Sequence, residues 1–319
     1  MIVREIYAQG AADLKFAGIK TPGLDASLLL AHVLKTTRTA LVAAGTDEVS
    51  DDVCEQFCDL IVRRCEGECV AYITGKKEFR GLEFEVNPSV LVPRPDTEIL
   101  VETAIDILKK KPQSSQSSQS FTEKEICCEL ETLCNSVSSV VINILELCTG
   151  SGAVAIALKH EMPEIEIHAT DICAEALETA KRNAEKLLSK NMVDFYHGDL
   201  FDAIPKPNLC VSASQREKYS IVVSNPPYIP SCEIETLSAE VQNEPRIALD
   251  GGNDGLDVIR RIINGAPDYL EQGGTLLLEA DPRQMNDITN LLEKRGFIDI
   301  QLYKDLSDSQ RVIGGRYEK

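Results

Sequence analysis

The sequence predicts an α/β protein: a doubly wound, Rossmann-like sheet of seven strands, the last pair antiparallel, preceded by a small helical domain and a β-hairpin connection. Three observations carry this. From Val140 onward, β-branched apolar runs alternate with helical periodicity at the spacing of βαβ units. Residues 1 to about 75 show helical periodicity alone. A chain of 319 residues is long enough for two domains, at about 100–200 residues each.

The elements follow in order. Leu24, Leu28, Leu29, Ala31 and His32 recur at helical spacing, as do Val53, Phe57, Leu60 and Ile61. Thr21-Pro22-Gly23 and Gly45-Thr46-Asp47 break these helices. Phe79, Leu82, Phe84 and Val86, then Val90 to Val92, read as two short strands around Asn87-Pro88. Pro93–Glu98 reads locally as a proline-stiffened lead into a helix reaching about Lys111, with Asp96 or Thr97 as N-cap. Residues 113–120 are only Gln and Ser and have nothing to bury, so 112–138 is expected to be a surface insertion. Strands are then expected at Val140–Leu147, Ile165–Thr170, Val193–His197, Ile221–Ser224, Thr275–Glu279, Phe297–Tyr303 and Arg311–Gly315. Helices are expected at Ala153–Lys159, Ala174–Leu188, Leu256–Leu270 and Met285–Lys294. No helical pattern separates the last two strands, so they are expected to pair antiparallel. The domains are thus expected at 1–75, 76–95 (the hairpin) and 96–319.

Composition narrows the function. The net charge is −18 and the pI about 4.7. Nonspecific duplex binding draws on Lys and Arg neutralising phosphates, so so acidic a body disfavours it. No apolar run approaches the roughly 20 residues of a spanning helix, and the first ten residues contain no apolar secretory core. A cytoplasmic protein is expected. Its eleven cysteines are then expected as free thiols. Cys54/Cys58 and Cys65/Cys69 have i,i+4 spacing that suits one helix face better than a zinc knuckle, and no metal site is expected.

The chemistry concentrates where strands end. The first long strand runs into Cys148-Thr149-Gly150-Ser151-Gly152 and directly into a helix. Glycines permit a tight turn and close approach of a ligand, and the helix start offers free N–H groups. Asp171 ends the next strand, 21 residues after Gly150, where a carboxylate can accept both hydroxyls of a ribose. Together these suit a nucleoside-containing cofactor without specifying one. Gly150-x-Gly152-x-x-Ala155 also fits the loose dinucleotide fingerprint. Asn225-Pro226-Pro227-Tyr228 follows the strand Ile221–Ser224, so Asn225 is expected beside the glycine turn. Two prolines remove two N–H donors and leave carbonyl acceptors beside the Asn oxygen. Such acceptors suit a planar –NH2 group, and Tyr228 offers a ring to pack on a flat one.

Nearly end to end, the chain resembles the HemK/PrmC family of glutamine methyltransferases that modify peptide-chain release factors. The resemblance rests on Tyr72–Gly75 through Pro93–Glu98, Leu145–Leu158, Asp171–Asn183, Ser224–Pro230, Glu244-Pro245 with Leu249–Leu256, and Leu277–Glu279 with Gln284. The Asn-Pro-Pro-Tyr block is shared with adenine methyltransferases of DNA; Pro93–Glu98 and Glu244–Leu256 are much more particular to this family. The resemblance implies transfer of a methyl from S-adenosylmethionine, which becomes S-adenosylhomocysteine, to a glutamine side-chain amide of a release factor. It implies that Cys148, Thr149, Gly150, Ser151 and Gly152 line the methionine end and that Asp171 holds the ribose. Asp199 would reach the adenine amino group, with Leu200 beside the ring. Asn225 and the Pro226 carbonyl would hold the acceptor nitrogen, with Pro227 completing the turn and Tyr228 against the glutamine. The helical domain would help grip the release factor.

Three departures stand out. Cys148 occupies a position where the family commonly has glycine, so a positive φ there would be strained. Leu200 stands where relatives often carry an aromatic ring, Phe201 being the nearest ring available instead. The insertion at 112–138 is longer than the family's linker. Two rival readings are weaker: a DNA adenine methyltransferase, disfavoured by the charge, and a nicotinamide-dependent oxidoreductase, which has no use for Asn225–Tyr228.

Overall fold

The structure, a computed structural model, describes residues 1–110, 142–188, 192–205 and 218–318. The insertion expected at 112–138 lies outside the described residues.

Five helices open the chain: α1 (Val3–Phe16), α2 (Pro22–Val33), α3 (Arg38–Ala43), α4 (Asp51–Cys65) and α5 (Val70–Thr74). The break expected at Gly45-Thr46-Asp47 separates α3 from α4, whereas Pro22-Gly23 open α2 rather than interrupt it, and the breaks at 34–37 and 66–69 were not foreseen. Leu14, Leu29, Leu30, Phe57 and Ile61 bury together as their core. Cys65 ends α4 and Cys69 precedes α5, so that cysteine pair does not share a helix face as its spacing suggested.

The hairpin is β1 (Lys76–Phe79) paired antiparallel with β2 (Leu82–Glu85). Its turn is Arg80-Gly81, both at positive φ (49° and 74°), the backbone that a two-residue hairpin turn requires. The expected turn at Asn87-Pro88 is therefore wrong, and Val90–Val92 is not a strand. Asn87 Oδ1 instead accepts from the Ser89 amide at 2.9 Å and closes a local turn. Val90 and Val92 still bury, and the Tyr72 hydroxyl donates to the Val90 carbonyl at 2.6 Å.

A short turn at Pro95–Thr97 leads into α6 (Glu98–Lys110). The sheet then builds from β3 (Asn143–Leu147), β4 (Glu166–Asp171), β5 (Asp194–His197), β6 (Tyr219–Ser224), β7 (Leu270–Glu279), β8 (Phe297–Lys304) and β9 (Gln310–Tyr317). The order is β5-β4-β3-β6-β7-β9-β8, with β9 antiparallel to both its neighbours and the other pairs parallel. Between strands lie α7 (Ala153–Glu161), α8 (Ala174–Leu187), the short α9 (Ala239–Gln242) and α10 (Arg246–Leu249), α11 (Asp257–Gly265) and α12 (Met285–Arg295). The predicted α/β class, the seven strands and the antiparallel final pair all stand.

The central strands are apolar on both faces because both are covered. Ile144, Ile221 and Val223 pack with α6 and α7 on one side. Leu145, Leu147 and Val222 pack with α11 and α12 on the other.

A buried cation joins the helical region to the segment between β6 and β7. Arg64 of α4, 2 % exposed, donates to Asp25 of α2 at 2.8 Å and to the Glu68 carbonyl at 3.2 Å. Its remaining nitrogen bonds Glu240 of α9. Removing one member of a buried ion pair strands the other charge, at about 3–5 kcal/mol. Arg64→Met should lower unfolding stability by about that amount, and the Arg64→Met/Asp25→Leu double variant should regain most of it. Denaturant titration of the three variants is the check; a double variant no more stable than Arg64→Met would refute the pairing.

Candidate functional site

The site forms where the sheet order reverses. β3 pairs on one side with β4 and on the other with β6, so the loops leaving these strands diverge and open a crevice at their carboxyl ends. A cavity of about 500 Å3 occupies it, a size within the usual small-molecule range of roughly 300–1,000 Å3.

The glycine turn forms one wall. Cys148 has φ 61°, so the strained conformation foreseen for a non-glycine at this position is present. Gly150, at φ 56°, has nothing within 4 Å of where a Cβ would stand, and the backbone there is open to a ligand. Gly152, at φ 81°, is different: a Cβ would come within 2.8 Å of Ile156 Cδ1 and 3.2 Å of Ala180 Cβ. Its role is to let the turn, α7 and α8 pack closely. Asn183 of α8, fully buried, donates to the Ser151 carbonyl at 3.0 Å and exchanges bonds with the Glu85 backbone. The hairpin thereby braces the turn.

Two carboxylates stand beneath this wall. Glu146 accepts from the Thr149 hydroxyl at 2.6 Å and the Ala155 amide at 3.0 Å. Burial pushes its carboxyl up to about 8, against those two hydrogen bonds. Asp171 accepts from the Gly150 amide on one oxygen at 2.8 Å and from the Cys173 amide on the other at 2.9 Å. Burial raises its carboxyl, and the Cys173, Gly150 and Ile172 amides oppose the rise. Burial also pushes the Cys148 thiol up to about 12, so it is no nucleophile at neutral pH.

Of the residues expected at the site, Cys148, Thr149, Gly150, Ser151, Asp171 and Asn225 line the cavity, with Asp199, Leu200 and Pro227. Gly152, Pro226 and Tyr228 stand behind that lining. The Asp199 carboxylate pairs with Arg261 of α11 at 2.7 Å. Leu200, at φ 49°, faces the cavity. Phe201 does not replace it as a ring in the site: it stacks on Tyr269 at 4.6 Å and presses on Gly265 in the core.

Opposite the glycine wall, the Asn225 Nδ2 donates to the Thr97 hydroxyl at 3.1 Å. Thr97 is therefore not an N-cap but a partner of the Asn-Pro-Pro-Tyr turn, and Asp96 pairs with Arg311 at 3.2 Å. Behind them lies Glu279, at the end of β7 and 1 % exposed. Burial pushes its carboxyl up to about 7, opposed by hydrogen bonding to Thr97 and Asn225. The Tyr228 carbonyl accepts from Gln284 Nε2 at 2.9 Å, and burial raises the Tyr228 phenol above its usual range.

The strap from Arg246 to Asp250 covers part of the crevice. It is stitched to the turn by Ile229 N to Leu249 O at 3.0 Å and Gly251 N to Ile229 O at 2.9 Å. Beyond the strap, a Cβ on Gly255 would lie 2.2 Å from the Tyr228 carbonyl oxygen, so only glycine lets the following segment approach the turn. Arg94 holds the buried Glu244 at 2.5 Å across the mouth. Ile172 and Ile247, both about half exposed, add apolar surface at the rim.

Sequence reasoning missed Glu146, Thr97 and Glu279 as parts of the site. Glu146 had a visible signal, a lone acid inside an apolar strand. Thr97 and Glu279 lay inside blocks of family resemblance, but nothing local joins positions so far apart in sequence.

Residues 5–75 match the family model of the PrmC N-terminal domain, and residues 119–252 that of the methyltransferase small domain. The chain is 36 % identical over 300 residues to a release factor glutamine methyltransferase of Neisseria gonorrhoeae, covering 94 % of this chain and 95 % of that one. A protein of the same name from Deinococcus radiodurans is 33 % identical over 318 residues, 99 % of each chain. Among solved structures, the hMettl16 catalytic domain in complex with an RNA hairpin superposes with a TM-score of 0.52 at 12 % identity, covering 82 % of this chain and 83 % of that one, a likeness of fold. Along nearly its whole length, then, this chain is a methyltransferase and belongs to the release factor glutamine methyltransferase family.

Proposed function

We propose that the protein transfers a methyl group from S-adenosylmethionine to the side-chain amide nitrogen of the glutamine in the Gly-Gly-Gln loop of peptide-chain release factors, in the cytoplasm. The observation that carries this reading is the turn after β6. Asn225 turns its Nδ2 away to Thr97, which leaves Oδ1 as an acceptor at the cavity wall, and the next two residues have no N–H to offer. A turn that presents acceptors and has no N–H at its two prolines suits a planar –NH2.

The residues present fit the methyl donor. Gly150 leaves open space beside its backbone, and Asp171 offers a carboxylate already fixed by two amides. When bound, S-adenosylmethionine supplies a methyl already activated on a sulfonium. An amide nitrogen is a poor nucleophile because its lone pair is delocalised. Asn225 Oδ1 and a backbone carbonyl of the Asn225–Pro227 turn, at Pro226 if the turn shifts to expose it, accepting both N–H bonds would favour a pyramidal nitrogen aimed at the methyl. Orientation of this kind supplies about 7–11 kcal/mol in well-placed systems. Gly150 and Asp171 would hold the methyl donor, which would supply the methyl for the new N–CH3 bond and keep the electron pair of the broken S–CH3 bond on its sulfur. One amide proton leaves to water.

The family's printed name supports glutamine over adenine as acceptor. So does the charge of −18, which repels a phosphate backbone. Incubation with a release factor and S-adenosylmethionine should add one methyl to that glutamine, read by mass spectrometry of the digested factor with an adenine-containing duplex as competitor. Methylated adenine beside an unmodified glutamine would overturn the reading in favour of a DNA enzyme.

Two variants separate the roles. Asp171→Ala should weaken S-adenosylmethionine binding by about 1.5–3 kcal/mol, the loss of a charged acceptor, roughly ten- to a hundred-fold or a little more by calorimetry. Unchanged affinity in the folded variant removes Asp171 from the site. Asn225→Ala should abolish most single-turnover transfer while leaving that affinity largely in place; the reverse pattern would show Asn225 to be a cofactor ligand only.

A further inference from the structure

We propose that Glu279 is a positioning residue: acting with Thr97, it fixes which end of the Asn225 amide faces the cavity. The proposal rests on the reading of Asn225 as the acceptor for the substrate –NH2.

An Asn side chain has two ends of similar shape and opposite chemistry, and the site works with only one of them inward. Thr97 Oγ1 carries a single proton. Asn225 Nδ2 donates to that oxygen, so the hydroxyl proton is free to point at the Glu279 carboxylate, which both side chains approach. Glu279 is 1 % exposed, so bulk water is kept from the carboxylate, and among the described residues its Oε2 has no hydrogen-bond partner. Turning the amide over would set its oxygen against a buried anion and leave a donor facing the substrate –NH2. The carboxylate selects the orientation by excluding the alternative, and it does so without lining the cavity itself.

Three further groups face Glu279. Asp96 comes from the turn before α6, Arg311 from β9 and the Tyr228 phenol from the turn after β6. Arg311 divides its charge between Asp96 at 3.2 Å and Asp305 at 3.0 Å, so it leaves Glu279 incompletely compensated. Burial is the larger influence and holds the carboxyl up at about 7. As pH falls through that value the group gains a proton and can itself donate. The difference between the two amide ends then disappears, and the orientation is lost on the acid side.

The test has two readouts. In protein labelled with 15N-asparagine, the side-chain amide of Asn225, assigned by its absence in Asn225→Ala, should titrate with a midpoint near 7. That titration should vanish in Glu279→Gln. In release factor methylation, kcat should fall on the acid side with the same midpoint. Glu279→Gln should lower kcat above neutral pH by about 10- to 100-fold and flatten the acid limb, with the KM for S-adenosylmethionine within about two-fold. Thr97→Val should behave like Glu279→Gln, and Thr97→Ser should keep most activity, which holds the proposal testable should Glu279→Gln fail to fold. An Asn225 amide insensitive to pH, or a folded Glu279→Gln with unchanged kcat and acid limb, overturns the proposal. A wild-type enzyme that leaves glutamine unmethylated overturns the assigned substrate instead, and the amide titration still decides the role of Glu279.

Discussion

Everything at the site depends on the parallel pairing of β3 with both β4 and β6. That pairing places Leu147 beside Ser224, whose hydroxyl donates to the Leu147 carbonyl at 2.7 Å and locks the two strand ends level. From that line the chain leaves in three directions, through the glycine turn, Asp171 and the Asn225 turn. None of the three loops is anchored by its own residues alone. Gly150 is held by Asp171, Ser151 by Asn183, and Tyr228 by Gln284. Misregister of β3 by one residue would exchange its two buried faces and break all three.

The second organising feature is how this acidic protein handles buried charge. Among the described residues, its surface carboxylates are solvated or paired with arginine or lysine, a cheap arrangement. Glu146, Glu244 and Glu279 are not on the surface, and burial raises all three. Glu146 supports the glycine turn, Glu244 meets Arg94 at the mouth, and Glu279 lies behind Asn225. Desolvation on this scale is tolerated where the carboxyl group, charged or protonated, is met by neighbouring polar groups.

Much of this was legible in the sequence, for identifiable reasons. Gly150, Asp171 and Asn225 announce themselves because residue type and distance from a strand end suffice to place them in an open α/β sheet. The alternation of strands and helices places the sheet for the same reason. The hairpin turn was misread because Asn87-Pro88 is a stronger textual break than Arg80-Gly81, whereas the strand pairing of Phe79 with Leu82 decides the matter. Phe201 was misread because a ring next to the site need not point into it; stacking on Tyr269 takes it inward. Thr97 and Glu279 could not be joined by local reasoning, since their meeting depends on α6, β6 and β7 converging at one end of the sheet.

The geometry of Asp171 has a consequence for ligand discrimination. Its two oxygens are engaged by backbone amides from both sides, Gly150 on one and Cys173 on the other, with the Ile172 amide also bonded to the group, so the side chain is held in place. In the proposed role of ribose acceptor, such a group would favour a pair of neighbouring hydroxyls, whatever base or chain is attached to them. A sugar lacking one hydroxyl would leave the carboxylate short of a partner inside the cavity, a penalty set by desolvation. The carboxylate would thereby act as a gauge for a vicinal diol, and the order it needs is acquired when the protein folds rather than when the ligand arrives.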